Sequence, residues 1–162
     1  MKKRNGFTLV EILIVVVILG ILAAIVIPQF SNASEEAKLS SLVSDLQSIR
    51  SQIQLYKVQH AHGDSLNIPG TAITGLDFEE SMTMYTKLDG TLASPQAPDP
   101  NGGVYGPYLQ KIPPNPFNDC DVVTSGQDTP APGNGGTTSG WYFNTDTGAF
   151  NANDTSAAHA AL

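Results

Sequence analysis

Residues 6–28 read Gly6-Phe7-Thr8-Leu9-Val10-Glu11-Ile12-Leu13-Ile14-Val15-Val16-Val17-Ile18-Leu19-Gly20-Ile21-Leu22-Ala23-Ala24-Ile25-Val26-Ile27-Pro28. Over residues 7–27 only Thr8, Glu11 and Gly20 interrupt the apolar run. As a helix it is long enough to cross about 30 Å of hydrocarbon. Lys2, Lys3 and Arg4 precede it, a basic head that the positive-inside rule keeps cytoplasmic. A carboxylate within such a run costs about 2.5–3.5 kcal/mol at the helix centre and less near its end, so Glu11 calls for a functional reason.

Three readings compete for this segment. A secretory signal should end in a small-residue cleavage site after its apolar stretch. Here Ala23-Ala24 lies inside the stretch and Pro28-Gln29-Phe30 follows it, which makes a poor site. A plain membrane anchor gives no reason for Glu11. The third reading does: Gly6-Phe7-Thr8-Leu9-Val10-Glu11 resembles the prepilin cleavage and methylation motif of type IV pilins and type II secretion pseudopilins. The resemblance implies that a membrane prepilin peptidase cuts between Gly6 and Phe7 and that the new Phe7 amine is N-methylated. It also places the family's conserved glutamate on Glu11 and its helix-bending proline on Pro28.

Elementary electrostatics agrees with that assignment. The cut creates an ammonium at the end of an apolar helix, and a buried ammonium and a buried carboxylate each need a partner. Phe7 and Glu11, four residues apart, share one helix face. In a filament of this family Glu11 would meet the Phe7 amine of a neighbouring subunit, and a misregistered neighbour would leave both charges unpaired.

Beyond Pro28 the helical pattern continues in polar form. Residues 31–34 with Glu35 and Glu36 supply helix-starting chemistry. Leu39, Leu42, Leu46, Ile49, Ile53 and Tyr56 then recur at spacings of three and four, one apolar stripe on a helix expected to end at residues 60–63. Joined to the first segment, this predicts a helix of roughly 75–80 Å at 1.5 Å per residue, bent or locally melted at Pro28. A second helix is expected over residues 78–88, with Asp77 and Glu80 as a capping box and Gly90 as its stop.

Residues 105–117 carry Pro107, Pro113, Pro114 and Pro116, which exclude a regular helix and most strand pairing. This tyrosine- and proline-rich stretch resembles the loop before the sheet in the major, G-class pseudopilins. Residues 124–140 are rich in Gly, Pro, Ser and Thr and read as a surface loop. Residues 140–144 read as a strand, 145–148 as a turn and 149–151 as the return strand, with 121–124 a candidate third strand. The tail, 157–162, carries no structural signal and is expected to fray.

The 162-residue chain carries a net charge of −7. Its body is more acidic still: past Pro28 the basic residues are Lys38, Arg50, Lys57, Lys87 and Lys111, whereas every acidic residue except Glu11 lies there. Such a body repels phosphate backbones, which argues against nucleic-acid binding. Cys120 is the single cysteine, so no intramolecular disulfide forms, and it reads as a small half-buried residue. His60 and His62 fall on different helix faces and read as a solvated helix end, not a metal pair. Asp146, Asn151, Asn153 and Asp154 offer the oxygens that calcium prefers, and G-class pseudopilins hold calcium in their C-terminal sheet loops. Turn chemistry explains the same residues, and no EF-hand spacing is present. No nucleophile–base pair, phosphate-cradling loop or supported carboxylate pair points to an enzyme.

The reading is an α+β, type IV pilin-like lollipop: a long N-terminal helix, membrane-spanning then amphipathic, with a small antiparallel sheet and a loop region holding a short helix. Its parts are a leader (1–6), a transmembrane and filament-core helix (7–27), the amphipathic half (28–62) and a C-terminal head (63–162). The resemblance implies a structural subunit of a filament, foremost the major pseudopilin of a type II secretion system. Its implied partners are further copies of itself, the prepilin peptidase, an inner-membrane assembly platform, minor pseudopilins and lipid. Its implied place is the bacterial inner membrane, single-pass, with the head outside the cytoplasm. The alternatives are a surface type IV pilin for adhesion, motility or DNA uptake and, from another class, a lone membrane-anchored binding module.

Overall fold

A computed structural model of the chain describes residues 6–60, 68–70, 77–94, 103–127 and 138–162. Its elements run α1 (Leu9–Gln59), α2 (Phe78–Thr83), β1 (Val123–Gly126), β2 (Trp141–Asn144), β3 (Phe150–Ala152) and α3 (Ala157–Ala160). The α+β class read from the sequence holds. The chain divides into two compact units, Met1–Leu39 and Ser40–Leu162.

The first unit is the apolar part of α1. Its large side chains, from Phe7 at 80% through Val26 at 41% to Phe30 at 72%, are exposed within the chain. The helix continues through Pro28 without interruption, so of the two effects expected there, a bend or local melting, melting does not occur. Proline removes one backbone donor, and the hydrogen bonds of the flanking turns hold the helix across that gap.

The second unit is built on the rest of α1. Leu42, Leu46, Ile49, Ile53 and Tyr56 are buried, as the stripe predicted, and only Leu39 of that series stays 40% exposed. They pack with Phe78 and Met82 of α2, Tyr108 and Ile112 of the proline-rich loop, and Trp141, Phe143, Phe150 and Ala152 of the sheet. The rings interlock, with Phe78 4.5 Å from Phe143 and 5.2 Å from Phe150, centroid to centroid. Burying each such side chain contributes about 1.5–3 kcal/mol.

The sheet has the order β1-β2-β3. β2 and β3 are antiparallel, pairing Trp141 with Ala152, Tyr142 with Asn151 and Phe143 with Phe150. β1 and β2 are parallel, with Val123 opposite Trp141, so the sheet is mixed where an antiparallel one was expected. Segment 127–140 is long enough for the crossover of a dozen or so residues that a parallel pair needs. In the hairpin turn the Asn144 side chain accepts from the amides of Asp146 (2.9 Å) and Thr147 (2.8 Å), and Gly148 takes φ +71.

Two further expectations are corrected. α2 does carry the Asp77–Glu80 capping box, but it stops at Thr83 and not near residue 88. Thr86 forms bridges with both Leu92 and Tyr105, which holds the chain extended there, and Gly90 serves the following turn with φ +80. The tail is also ordered. α3 covers Ala157–Ala160, and Arg50 of α1 donates to the carbonyls of Phe150 (2.9 Å) and Leu162 (2.8 Å) and to the Asn151 side chain (3.3 Å).

Candidate functional site

At the start of α1, Thr8 stands at the N-cap and Glu11 three residues inside. The Thr8 amide and hydroxyl both donate to Glu11 Oε2, at 3.2 and 3.1 Å, and the Glu11 amide donates to Thr8 Oγ1 at 3.3 Å. This is a reciprocal capping box, which satisfies two donors that a helix start leaves orphaned. The carboxylate also sits at the positive end of the helix dipole. The Thr-x-x-Glu spacing is a capping-box pattern of the same kind as Asp77–Glu80.

Gly6 and Phe7 precede this cap. Phe7 is 80% exposed, and a Cβ added at Gly6 would meet nothing within 4 Å. The fold itself therefore makes no demand for glycine at position 6, and any demand comes from outside the chain. From Phe7 to Phe30 the helix offers apolar side chains exposed on all sides, interrupted by the single carboxylate Glu11. A free helix in water gains nothing from such a surface, so lipid or further helices must cover it.

The structure does not bring the four candidate calcium ligands together. Asp146 is exposed in the β2–β3 turn. Asn153 lies at the opposite end of the hairpin, where its amide donates to Gly140, roughly 15 Å away along the strands. Asn151 is engaged by Arg50 and by the Ala160 carbonyl. Asp154 is buried and accepts from the Ser156 amide (2.8 Å), the His159 ring (2.9 Å) and the Asn115 side chain (3.3 Å). Among the described residues no group of three or more His, Cys, Asp or Glu is placed to hold a metal ion.

His60 corrects the expectation of a solvated helix end, for it is fully buried; His62 lies outside the described residues. Cys120 is half-buried and free of any disulfide, as read. Asn115 was missed by the sequence reading. It is fully buried and donates to the Gly140 carbonyl (2.8 Å) while accepting from the Phe117 amide (2.9 Å), tying the proline-rich loop to the sheet. Arg50 and Lys57, a heptad apart on α1, spend their charge on backbone carbonyls of the hairpin and of the C-terminal tail. Burial pushes the pKa of both downward.

A family described as a prokaryotic N-terminal methylation motif matches residues 1–27. Over most of its length the chain is similar to proteins named type II secretion system core protein G. That of Vibrio cholerae serotype O1 is 30% identical over 127 residues, covering 78% of this chain and 75% of that protein. That of Klebsiella michiganensis is 31% identical over 128 residues, with coverage of 78% and 86%. That of Pseudomonas aeruginosa is 34% identical over 116 residues, with coverage of 72% and 70%. No solved structure matches the chain.

Proposed function

Because this chain belongs to the type II secretion system core protein G family, we propose that it is the repeating subunit of a secretion filament, held in the inner membrane until it is assembled. The single observation that carries the reading is the two-sided use of α1. Residues from Leu42 onward bury one stripe in the head, whereas residues 7–30 expose apolar side chains on every side. Such a segment is stable in lipid before assembly and against its own copies afterwards.

On this reading the prepilin peptidase removes residues 1–6, Phe7 becomes the methylated N-terminus, and the assembly platform draws the helix from lipid into a bundle of identical helices. Minor pseudopilins and the platform are its partners by family, and the basic residues 2–4 hold the uncut end in the cytoplasm. Glu11 then has two successive jobs. In the single subunit it closes the cap with Thr8, and in the bundle it meets the Phe7 amine of the next subunit. Both Thr8 bonds fall on Oε2, so Oε1 is suited to a second donor without dismantling the cap. The role asks for no cofactor and no catalytic group.

Processing is the direct test. Gly6→Trp should leave full-length precursor in the membrane, and mass spectrometry of the unsubstituted mature chain should begin at methylated Phe7. A mature N-terminus beyond Ala24 would overturn the reading in favour of an ordinary secretory signal.

A further inference from the structure

His60 directly follows α1, its amide bonded back to the Tyr56 carbonyl, and sits in a buried cluster that the filament role does not use. Its ring stacks on Tyr56 at 3.9 Å and 15° and lies 5.2 Å from Tyr105 and 6.0 Å from Tyr108. His60, Tyr56 and Thr86 are all fully buried. Nδ1–H donates to the Tyr56 carbonyl at 2.9 Å, because a carbonyl can only accept. Nε2, then unprotonated, accepts from the Thr86 hydroxyl at 2.9 Å. The same Thr86 exchanges both backbone hydrogen bonds with Tyr105, at 3.0 and 2.9 Å. One neutral ring thus joins three segments distant in sequence: the last turn of α1, the extended stretch at residue 86 and the loop at 105–108.

We propose that His60 is an acid-sensitive latch, whose protonation releases the end of α1 from the Thr86–Tyr105 pair. A proton added at Nε2 makes the Thr86 hydroxyl turn from donor to acceptor and, above all, places a charge in a fully buried site among three phenol rings. The groups facing the ring do little to offset this. Tyr56 and Tyr108 stay neutral, their pKa values raised by burial, that of Tyr56 to about 12. Asp89 remains ionised, held low by its bonds to Thr91, but its attraction for a charged His60 is smaller than the desolvation cost. The Tyr56 and Lys87 backbones also favour the charged ring, but by less than burial disfavours it.

The direction of the effect follows from linkage. Burial lowers the pKa of folded His60 below its ordinary 6.5, so the opened state binds the proton more readily. The latch is fully closed above pH of about 6.5 and weakens as pH falls from there towards the folded value. One proton taken up on opening raises the open population up to about tenfold per pH unit. A head exposed outside the cytoplasm would meet such acid directly.

The test is native-state amide exchange of the full chain in detergent micelles, between pH 7.5 and 5, corrected for intrinsic exchange. Protection of the Thr86 and Tyr105 amides should fall up to about tenfold per pH unit below 6.5, while that of the Asn144 amide, bonded to Ala149 at 2.8 Å, stays level. In His60→Gln the dependence should vanish. Flat protection in the unsubstituted chain, an equal loss at Asn144, or an unchanged slope in His60→Gln would each overturn the proposal. Should His60→Gln not fold, ¹⁵N spectra of the unsubstituted ring decide. A neutral Nδ1–H tautomer persisting below pH 6.5, the ordinary histidine value, is expected, and a second proton gained near 6.5 with both amides still protected would overturn it.

Discussion

Thr8 and Glu11 hold each other at the first turn of α1: two Thr8 donors reach Glu11 Oε2 at 3.1–3.2 Å, and the Glu11 amide returns a bond to Thr8 Oγ1 at 3.3 Å. The carboxylate so placed has a local reason to exist besides any contact between subunits. Two substitutions separate the reasons. Glu11→Gln keeps a side chain able to complete a capping box but removes the charge, whereas Thr8→Val keeps the charge and loses about 1 kcal/mol of cap. We expect Glu11→Gln to abolish or sharply slow filament formation, since the incoming amine is left uncompensated at several kcal/mol if fully buried. Thr8→Val should reduce the yield far less. Both should be processed normally, which the precursor-to-mature ratio in the same cells checks. Normal filaments from Glu11→Gln would remove the charge from the mechanism.

The boundary between Leu39 and Ser40 places the buried stripe wholly in the head. A chain beginning at Ser31 should therefore be a soluble monomer with mixed helix and sheet in circular dichroism. In it, Ile53→Ala should cost about 2–5 kcal/mol by leaving a cavity, lowering the melting temperature by roughly 10 °C or more. Aggregation of the Ser31 chain at every concentration would show that the exposed segment reaches further than residue 30.

Arg50 bonds to Phe150, Asn151 and Leu162 at once. Arg50→Met should destabilise the head by about 2 kcal/mol and raise amide exchange at Ala160, whose amide bonds to Ser156. Arg50→Lys should recover little of this, because one ammonium lacks the planar fork that serves three acceptors. A tail equally protected in Arg50→Met would mean that other contacts hold α3.

Asp154 offers a decision about calcium. Its oxygens are taken up by Ser156, His159 and Asn115, so Asp154→Ala should lower the melting temperature equally with calcium and with chelator present. The expected loss is about 1–3 kcal/mol from the buried donors left behind. A loss seen only in the calcium-loaded sample would make Asp154 a metal ligand.

How far each feature could be read in advance depended on the reach of the interaction that makes it. The apolar run, the Leu42-to-Tyr56 stripe, the Asp77–Glu80 cap and the Trp141–Phe150 hairpin all arise between residues a few positions apart, and each left a local pattern. Thr8–Glu11 belongs with these, since its Thr-x-x-Glu spacing is equally local. α2 is shorter than its local pattern predicts because the bridges of Thr86 to Leu92 and Tyr105 override helix propensity past Thr83.

The sequence by itself thus determined the membrane-length helix, the processing motif, the amphipathic change after Pro28 and the class of fold. Local periodicity and capping chemistry are written in neighbouring residues. Tertiary structure alone decided the parallel pairing of β1 with β2, the burial of His60 beside Thr86, the Asn115 hub and the docking of the tail on Arg50. In the last case donor and acceptor stand up to 112 positions apart. No local pattern encodes such a pair, because its energy exists only once the core has brought α1 and the sheet together and shut water out from between them.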